Sequence, residues 1–200
     1  MPTQKNPSVM MGKRVHLRPP RRNDQKAFIA QARASRPLHR GWVEPPETPV
    51  AFAAYVARYG SRSTSPRHAG FLVVRNDDDA LAGVVNFSEI VRGVFHSAYV
   101  GYYALEPLAG DGYMAEGFAL ALEFAFRTLK LHRVEANVQP ANRRSIALVE
   151  RLGFEREGYS RRYVKIGGRW RDHVRFAMLT EEWRKQRAEL KRSLATGKAG

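Results

Sequence analysis

Cysteine is absent from all 200 residues, so disulfides, thiolate nucleophiles and cysteine-held zinc are excluded. The six histidines (16, 39, 68, 96, 132 and 173) show no H-E-x-x-H spacing and no accompanying carboxylate cluster, so no metal is expected. No apolar run approaches the roughly 18 residues of a membrane span. The start, MPTQKNPSVMMGKRVHL, lacks the apolar stretch of a secretory signal. Together these absences lead to the expectation of a soluble, cytoplasmic protein with no membrane partner. Neither a Gly-x-Ser-x-Gly elbow nor a Gly-Lys-Ser/Thr phosphate loop occurs. Acids are scarce as well: 19 Asp and Glu stand against 34 Lys and Arg, a formal charge of +15. Such a surplus attracts polyanions, nucleic acid among them, or simply keeps a surface solvated. It is uneven, with ten cations against four acids between Pro140 and Arg175.

What is present suits one packed domain. The apolar fraction is 44%, with three Trp, eight Tyr and ten Phe. The reading is one domain over residues 1–200, with a core of about 13–183 and a basic C-terminal helix and tail over 181–200. KRVHLRPPRRND reads as a strand closed by Pro19-Pro20, with Asn23 or Asp24 capping the helix QKAFIAQARAS. RPLHRGWVEPPETP is turn-rich, and Thr48-Pro49 opens a helix to about Tyr59. AGFLVVRN and LAGVVNFSEI flank a DDDA turn as an antiparallel pair, and SAYVGYYAL is a further strand. The helix Gly112–Leu129 and the strand HRVEANVQP then make a crossover, which predicts parallel pairing. NRRSIALVERLGF is a helix capped by Asn142 and stopped by Gly153. Two strands surround Gly167-Gly168. The fold class expected is α+β in three layers, a mixed sheet with its meander first and its crossover second.

The stretch LEPLAGDGYMAEGFALALEFAF concentrates the chemistry. Gly110 and Gly112 stand at a helix start, where the backbone can approach a ligand and unpaired N–H groups favour an anion. The spacing Gly110-x-Gly112-x-x-Ala115 formally fits the dinucleotide fingerprint, with Glu135 downstream. A Rossmann domain, however, opens with that motif and continues in crossovers, and here strands precede it and one crossover follows.

Strand YYALEP, glycine loop, helix, strand and then NRRSIALVERLGFEREG resemble the GNAT family of acetyl-CoA-dependent N-acyltransferases. The family loop Gln/Arg-x-x-Gly-x-Gly/Ala falls on Ala109, Gly112 and Met114, and Asn142, Ser145 and Leu152-Gly153-Phe154 match its second marker. VNFSEIVRGVFHSAYVGYYAL and GYSRRYVKIGGRWRDHVRFAMLT further resemble the RimJ subgroup, which acetylates the N-terminal alanine of ribosomal proteins. The resemblance covers roughly residues 13 to 183. It implies a splayed sheet and acetyl-CoA as co-substrate. Residues Ala109, Gly110, Asp111, Gly112, Tyr113 and Met114 would hold the diphosphate on main-chain N–H groups. The strand end at Tyr103, Ala104 and Leu105 would hold the pantetheine arm and the acetyl oxygen. Ala109 and Asp111 depart from the family, which often carries Gln or Arg and a basic residue there.

Acyl transfer to an amine needs a neutral amine, a polarised carbonyl and a proton for the departing thiolate. The family's helix phenol falls on Val149, so Ser145 is the candidate proton donor, or else a small packing residue. Asn142 is a pantetheine anchor or a plain cap. Glu89 is the first candidate proton acceptor, or a solvated strand residue, with Asn86 and Ser88 on the same strand. Trp42, beside His39 and Glu44, and Tyr159 are candidate acceptor contacts. The function expected is N-acetylation of a protein N-terminus, that of a ribosomal protein, aided by RNA contact through the basic surface. Two alternatives stay open: a ribosome-associated assembly factor with weakened catalysis, and an acetyltransferase of a small amine or antibiotic.

Overall fold

The computed structural model describes residues 9–61 and 63–196. β1 (Met10–Met11) and β2 (Val15–Arg18) precede α1 (Gln25–Ala34), the short α2 (Arg36–His39) and α3 (Pro49–Tyr59). A meander of β3 (Ala69–Arg75), β4 (Leu81–Val91) and β5 (Ser97–Ala104) leads into α4 (Tyr113–Arg127). Then come β6 (Arg133–Val138), α5 (Arg143–Arg151), the hairpin of β7 (Glu155–Ile166) and β8 (Arg169–Leu179), and α6 (Thr180–Thr196). The eight strands form one sheet in the order β1-β2-β3-β4-β5-β6-β8-β7. Among the described residues only β5–β6 is parallel, as the crossover through α4 requires. Among the described residues, no helix is long and apolar enough to cross a membrane.

Burial follows the sequence pattern strand by strand. In β3, Phe71 to Val74 form an unbroken apolar run and all four are buried, so both faces must be covered. Phe71 and Val73 join a core with Phe118 and Leu122 of α4, while Leu72 and Val74 join Phe28, Phe52 and Tyr55 of α1 and α3. β6 alternates instead: Val134, Ala136 and Val138 are buried, and Arg133, Glu135 and Asn137 only half so. The α1–α3 cluster contains no residue of β6, β7 or β8. One face of the sheet is therefore covered across its width and the other only as far as β5.

Local signals set the helix ends. Thr48 Oγ1 accepts the Ala51 N–H at 3.2 Å ahead of Pro49, and Gly153 ends α5 at φ +86°. The cap expected for α1 is different in the structure. Residues Arg22–Asp24 form a 3-10 turn, and Asp24 spends its carboxylate on the Arg18 guanidinium at 2.7 and 2.8 Å and on the Arg21 N–H. A buried cation outcompeted the helix end for that acid. β1 and α2 are additions to the expected elements; the first has two residues and the second four, too short to show a period. In the C-terminal helix Trp183 Nε1 donates to buried Glu123 at 3.0 Å, and Arg127 and Arg187 share the same carboxylate.

Candidate active site

Two features converge at the C-terminal end of β5. The first is the glycine loop. Gly110 and Gly112 have φ of +101° and +81°, a region open to glycine and costly for branched side chains. Among the described residues, no hydrogen bond uses the N–H groups of residues 109 to 114. Arg14, from the turn before β2, donates to the Asp111 carbonyl at 3.1 Å and holds buried Glu116 of α4 through Nε at 3.3 Å. In a trans peptide the carbonyl and the following N–H point opposite ways. With the Asp111 carbonyl turned toward Arg14, the Gly112 N–H turns away from it. The Asp111 side chain is exposed, so the acid in the loop faces water. The loop thus offers bare amides, a helix N-terminus and a nearby guanidinium, a set suited to an anion.

The second feature is a split in the sheet. β5 pairs with β6 only at Ser97–Tyr99 against Arg133–Glu135. Beyond that point β5 continues along β4 to Ala104, and β6 continues along β8 to Val138. The two strands part, and each leaves one backbone edge bare. Strand alternation decides which groups line the gap. The Leu105 N–H donates to Ala82 on the β4 side at 2.9 Å, which turns Tyr103 toward β4 as well. Ala104 and Tyr102 face the gap. The Ala104 carbonyl accepts from His39 Nε2 at 2.7 Å, and the Gly41 carbonyl accepts from Gln139 at 2.7 Å. The link after α2 therefore spans the open end of the split, fastened to both arms. Burial holds the His39 ring below its ordinary pKa, so at neutral pH it is the uncharged donor to Ala104.

On the α4 face of the split, Tyr102 reaches α5. Its hydroxyl lies 2.5 Å from Ser145 Oγ and 3.0 Å from the Ser145 carbonyl, and its ring packs on Phe118 with centroids 4.6 Å apart. Burial pushes the phenol well above its usual range, so it stays protonated at neutral pH. On the other face, Gly101 leaves open space above the sheet, bordered by Asn86 directly across on β4.

The acetyltransferase (GNAT) domain model matches residues 14–155. The chain belongs to the GNAT family. It is 46% identical over 107 residues to the [ribosomal protein uS5]-alanine N-acetyltransferase of Escherichia coli, which covers 54% of this chain and 55% of that protein. It thus spans about half the length of that relative. A probable N-acetyltransferase of Bacillus subtilis, YjcK, is 37% identical over 127 residues, covering 64% and 70% of the two chains. Among solved structures, Mycobacterium smegmatis RimJ in complex with CoA-disulfide superposes with a TM-score of 0.78 at 26% identity, over 88% of each chain.

Within this GNAT frame the candidate residues sort as follows. Ala109 to Gly112 lie in the loop and Tyr113 and Met114 open α4, and Met114 sends its side chain under the sheet, where a Cβ at Gly83 would collide with its sulfur. Of Tyr103, Ala104 and Leu105, only Ala104 turns its backbone into the gap; Tyr102 takes the place given to its neighbours. Asn142 Oδ1 is a helix cap, accepting the Ser145 N–H at 3.2 Å, which leaves its amide donors for a ligand. Ser145 is at the split, but its hydroxyl is already joined to Tyr102. Glu89 sits at φ +49° in the β4 bulge, exposed and ion-paired to Arg67, at the end where β5 and β6 are still joined. The carboxylate at the parting point is instead Glu135, opposite Tyr99 and 2.8 Å from Arg133 Nε. Asn86 Oδ1 accepts from Tyr55 at 3.1 Å. Trp42 is half-buried on the bridging link. Tyr159 is not at the split: β8 lies between its strand and β6, and its hydroxyl donates to Asp172 at 2.5 Å. Arg143 and Arg144 are exposed on α5, and the guanidinium in contact with the loop is that of Arg14. Arg14 and Tyr102 carried no local signal, since their partners lie 97 and 43 residues away.

Proposed function

We propose that this protein transfers an acetyl group from acetyl-CoA to the N-terminal alanine amine of a ribosomal protein. The observation that carries the reading is the split between β5 and β6, whose bare edge runs directly into the bare-amide loop at 109–114. Such an edge suits the amide-rich pantetheine arm, and the loop suits its diphosphate. The residues present fit the co-substrate: Gly110 leaves open space where a side chain would stand, and among the described residues no N–H of the loop is spent elsewhere. Acetyl-CoA supplies an activated acyl group as a thioester.

The chain's own groups supply the rest. The Ala104 and Tyr102 N–H groups line the gap and are the donors for a developing oxyanion, a role worth roughly 3 kcal/mol in other acyl-transfer sites. Tyr102, joined to Ser145 beside the split, stays protonated at neutral pH, and it delivers a proton to the departing sulfur. A strong base is unnecessary. An α-amine titrates near about 8, far below about 10.4 for lysine, so a useful fraction is neutral at pH 7. Glu135 stands where the strands part and takes the released proton through water. The similarity to an enzyme acting on the alanine of ribosomal protein uS5 supports the acceptor, and the +15 charge suits approach to ribosomal RNA.

The test is calorimetry of acetyl-CoA against the full chain, followed by mass spectrometry of a peptide beginning with Ala. Binding heat and the gain of one acetyl group at the peptide α-amine are expected. Absence of heat overturns the cofactor site and leaves the assembly-factor reading. Heat without peptide acetylation, but with acetylation of a polyamine, moves the acceptor to a small amine.

A further inference from the structure

The β7–β8 hairpin runs past the sheet. β8 pairs with β6 only from Val174 onward, so residues 169–173 pair with β7 alone and form a two-stranded ribbon. Isolated ribbons are marginal, and this one is braced by its own acid. Asp172 accepts the Arg162 N–H at 2.7 Å and the Tyr159 hydroxyl at 2.5 Å, across the bulge where Arg162 adopts φ +48°. Tyr163 adds a contact to the His173 ring, centroids 6.2 Å apart. The one acid of the ribbon is thereby spent on its shape.

Its cations far outnumber that acid, which lies near Arg161 and Arg162. Arg161, Arg162, Lys165, Arg169 and Arg171 lie within eleven residues that contain no Asp or Glu. None forms an ion pair among the described residues, whereas Arg14, Arg18, Arg36, Arg67, Arg75, Arg127, Arg133 and Arg187 each hold a carboxylate. Aromatic rings stand among these unpaired charges: Trp170 is 60% exposed, Tyr159 47% and Tyr163 36%. Lys165 is directly opposite Trp170 across the ribbon. Solvated cations alone need no aromatic surface, and exposed aromatics alone need no cations. The two interleaved match a chain of unpaired nucleotides, whose bases stack on rings while phosphates meet cations.

We propose that the β7–β8 ribbon docks single-stranded RNA, with Trp170 as the stacking platform and Arg161, Arg162, Lys165 and Arg169 on the phosphates. Its place follows from the ribosomal-protein acceptor, on which the choice of RNA rests. The turn at Gly167 lies against Glu44 of the link that bridges the split, so RNA held here would keep an acceptor beside the gap.

The test is fluorescence anisotropy of a labelled, unstructured RNA of about ten nucleotides, a length within known single-strand sites. It is titrated with the full chain at several salt concentrations. Trp170→Ala is expected to weaken binding about tenfold, and Arg161→Gln with Arg162→Gln to make the salt dependence shallower by roughly one unit of log slope. These side chains are exposed, so melting temperature should hold in both variants. Unchanged RNA affinity in Trp170→Ala overturns the proposal, as does equal competition by polyglutamate or by duplex RNA. Calorimetry of acetyl-CoA on the same variants separates the two readings. RNA binding lost in Trp170→Ala with acetyl-CoA heat retained supports the ribbon. Wild-type protein that binds acetyl-CoA but not RNA refutes the ribbon alone, and the reverse refutes only the transferase.

Discussion

The two halves of the sheet obey different rules, and they meet at Tyr99 and Glu135. From β2 to β4 the strands are buried on both faces for most of their length, and Phe71 to Val74 of β3 form an unbroken apolar run. From β6 to β7, one face carries Arg133, Glu135, Asn137 and Arg175, and no residue there joins the α1–α3 cluster. Burial is where hydrophobic stabilisation comes from; the first half packs on both faces, while the second packs on one, through Val134, Ala136, Phe176 and Met178, and presents polar groups on the other. The split falls between these two halves, where β5–β6 pairing stops after Tyr99 and Glu135. The bare edge there is the one to which the proposed transfer assigns the pantetheine arm.

The comparison breaks most easily on stability. Phe28 is fully buried, with its ring 4.9 Å from Phe52 and 5.7 Å from Tyr55. Phe28→Ala should cost about 3–5 kcal/mol in denaturant unfolding. Tyr163→Ala, on the exposed ribbon, should cost no more than about 1 kcal/mol. Equal costs would mean that the ribbon is held as firmly as the core. Next in size is Tyr102→Phe, at the junction. It should lower kcat about a hundredfold while leaving the KM for acetyl-CoA nearly unchanged. Unchanged kcat would reduce the Tyr102–Ser145 contact to packing.

Much of this plan was legible because it was written locally. The Thr48 and Asn142 caps, the Gly153 stop and the strands around Gly167-Gly168 each depend on residues within a turn or two. The family markers placed the loop for the same reason. What failed to show depended on register or on distant pairing. A shift of one residue in a strand exchanges the faces, which is why Tyr103 and Leu105 stood in for Tyr102. Arg14 reaches the loop only after the β1–β2 turn is folded against α4. Glu89 read as a free acid because nothing local announces that the His-flanked loop before β3 delivers Arg67 to it.

A smaller effect separates the halves by pH. His39 serves the split from the α1 side and His173 lies on β8; burial lowers the pKa of both. Each folded pKa is below the unfolded value of about 6.5, so the unfolded chain takes up protons first as pH falls. Stability is then full above about pH 6.5 and declines below it, and urea midpoints between about pH 7.5 and about pH 5.5 should show this. His39→Gln should flatten part of the decline, and His173→Gln another part. A decline untouched by either substitution would assign it to other groups.

The smallest effect concerns the loop itself. Asp111 is exposed and its carbonyl, not its carboxylate, is held by Arg14. The carboxylate therefore acts on a bound diphosphate only through solvent, at the positive end of α4. A misplaced charge at a helix N-terminus is worth about 0.3–1 kcal/mol, so Asp111→Asn should tighten acetyl-CoA binding by roughly two- to fivefold in calorimetry at low salt. The gain should shrink as salt is added, because both charges are solvated. Arg14→Gln should act in the opposite sense and by more, since it removes a cation and frees the Asp111 carbonyl to turn. If Asp111→Asn weakened binding instead, the carboxylate would be holding the loop in shape, and the anion would have to rest elsewhere.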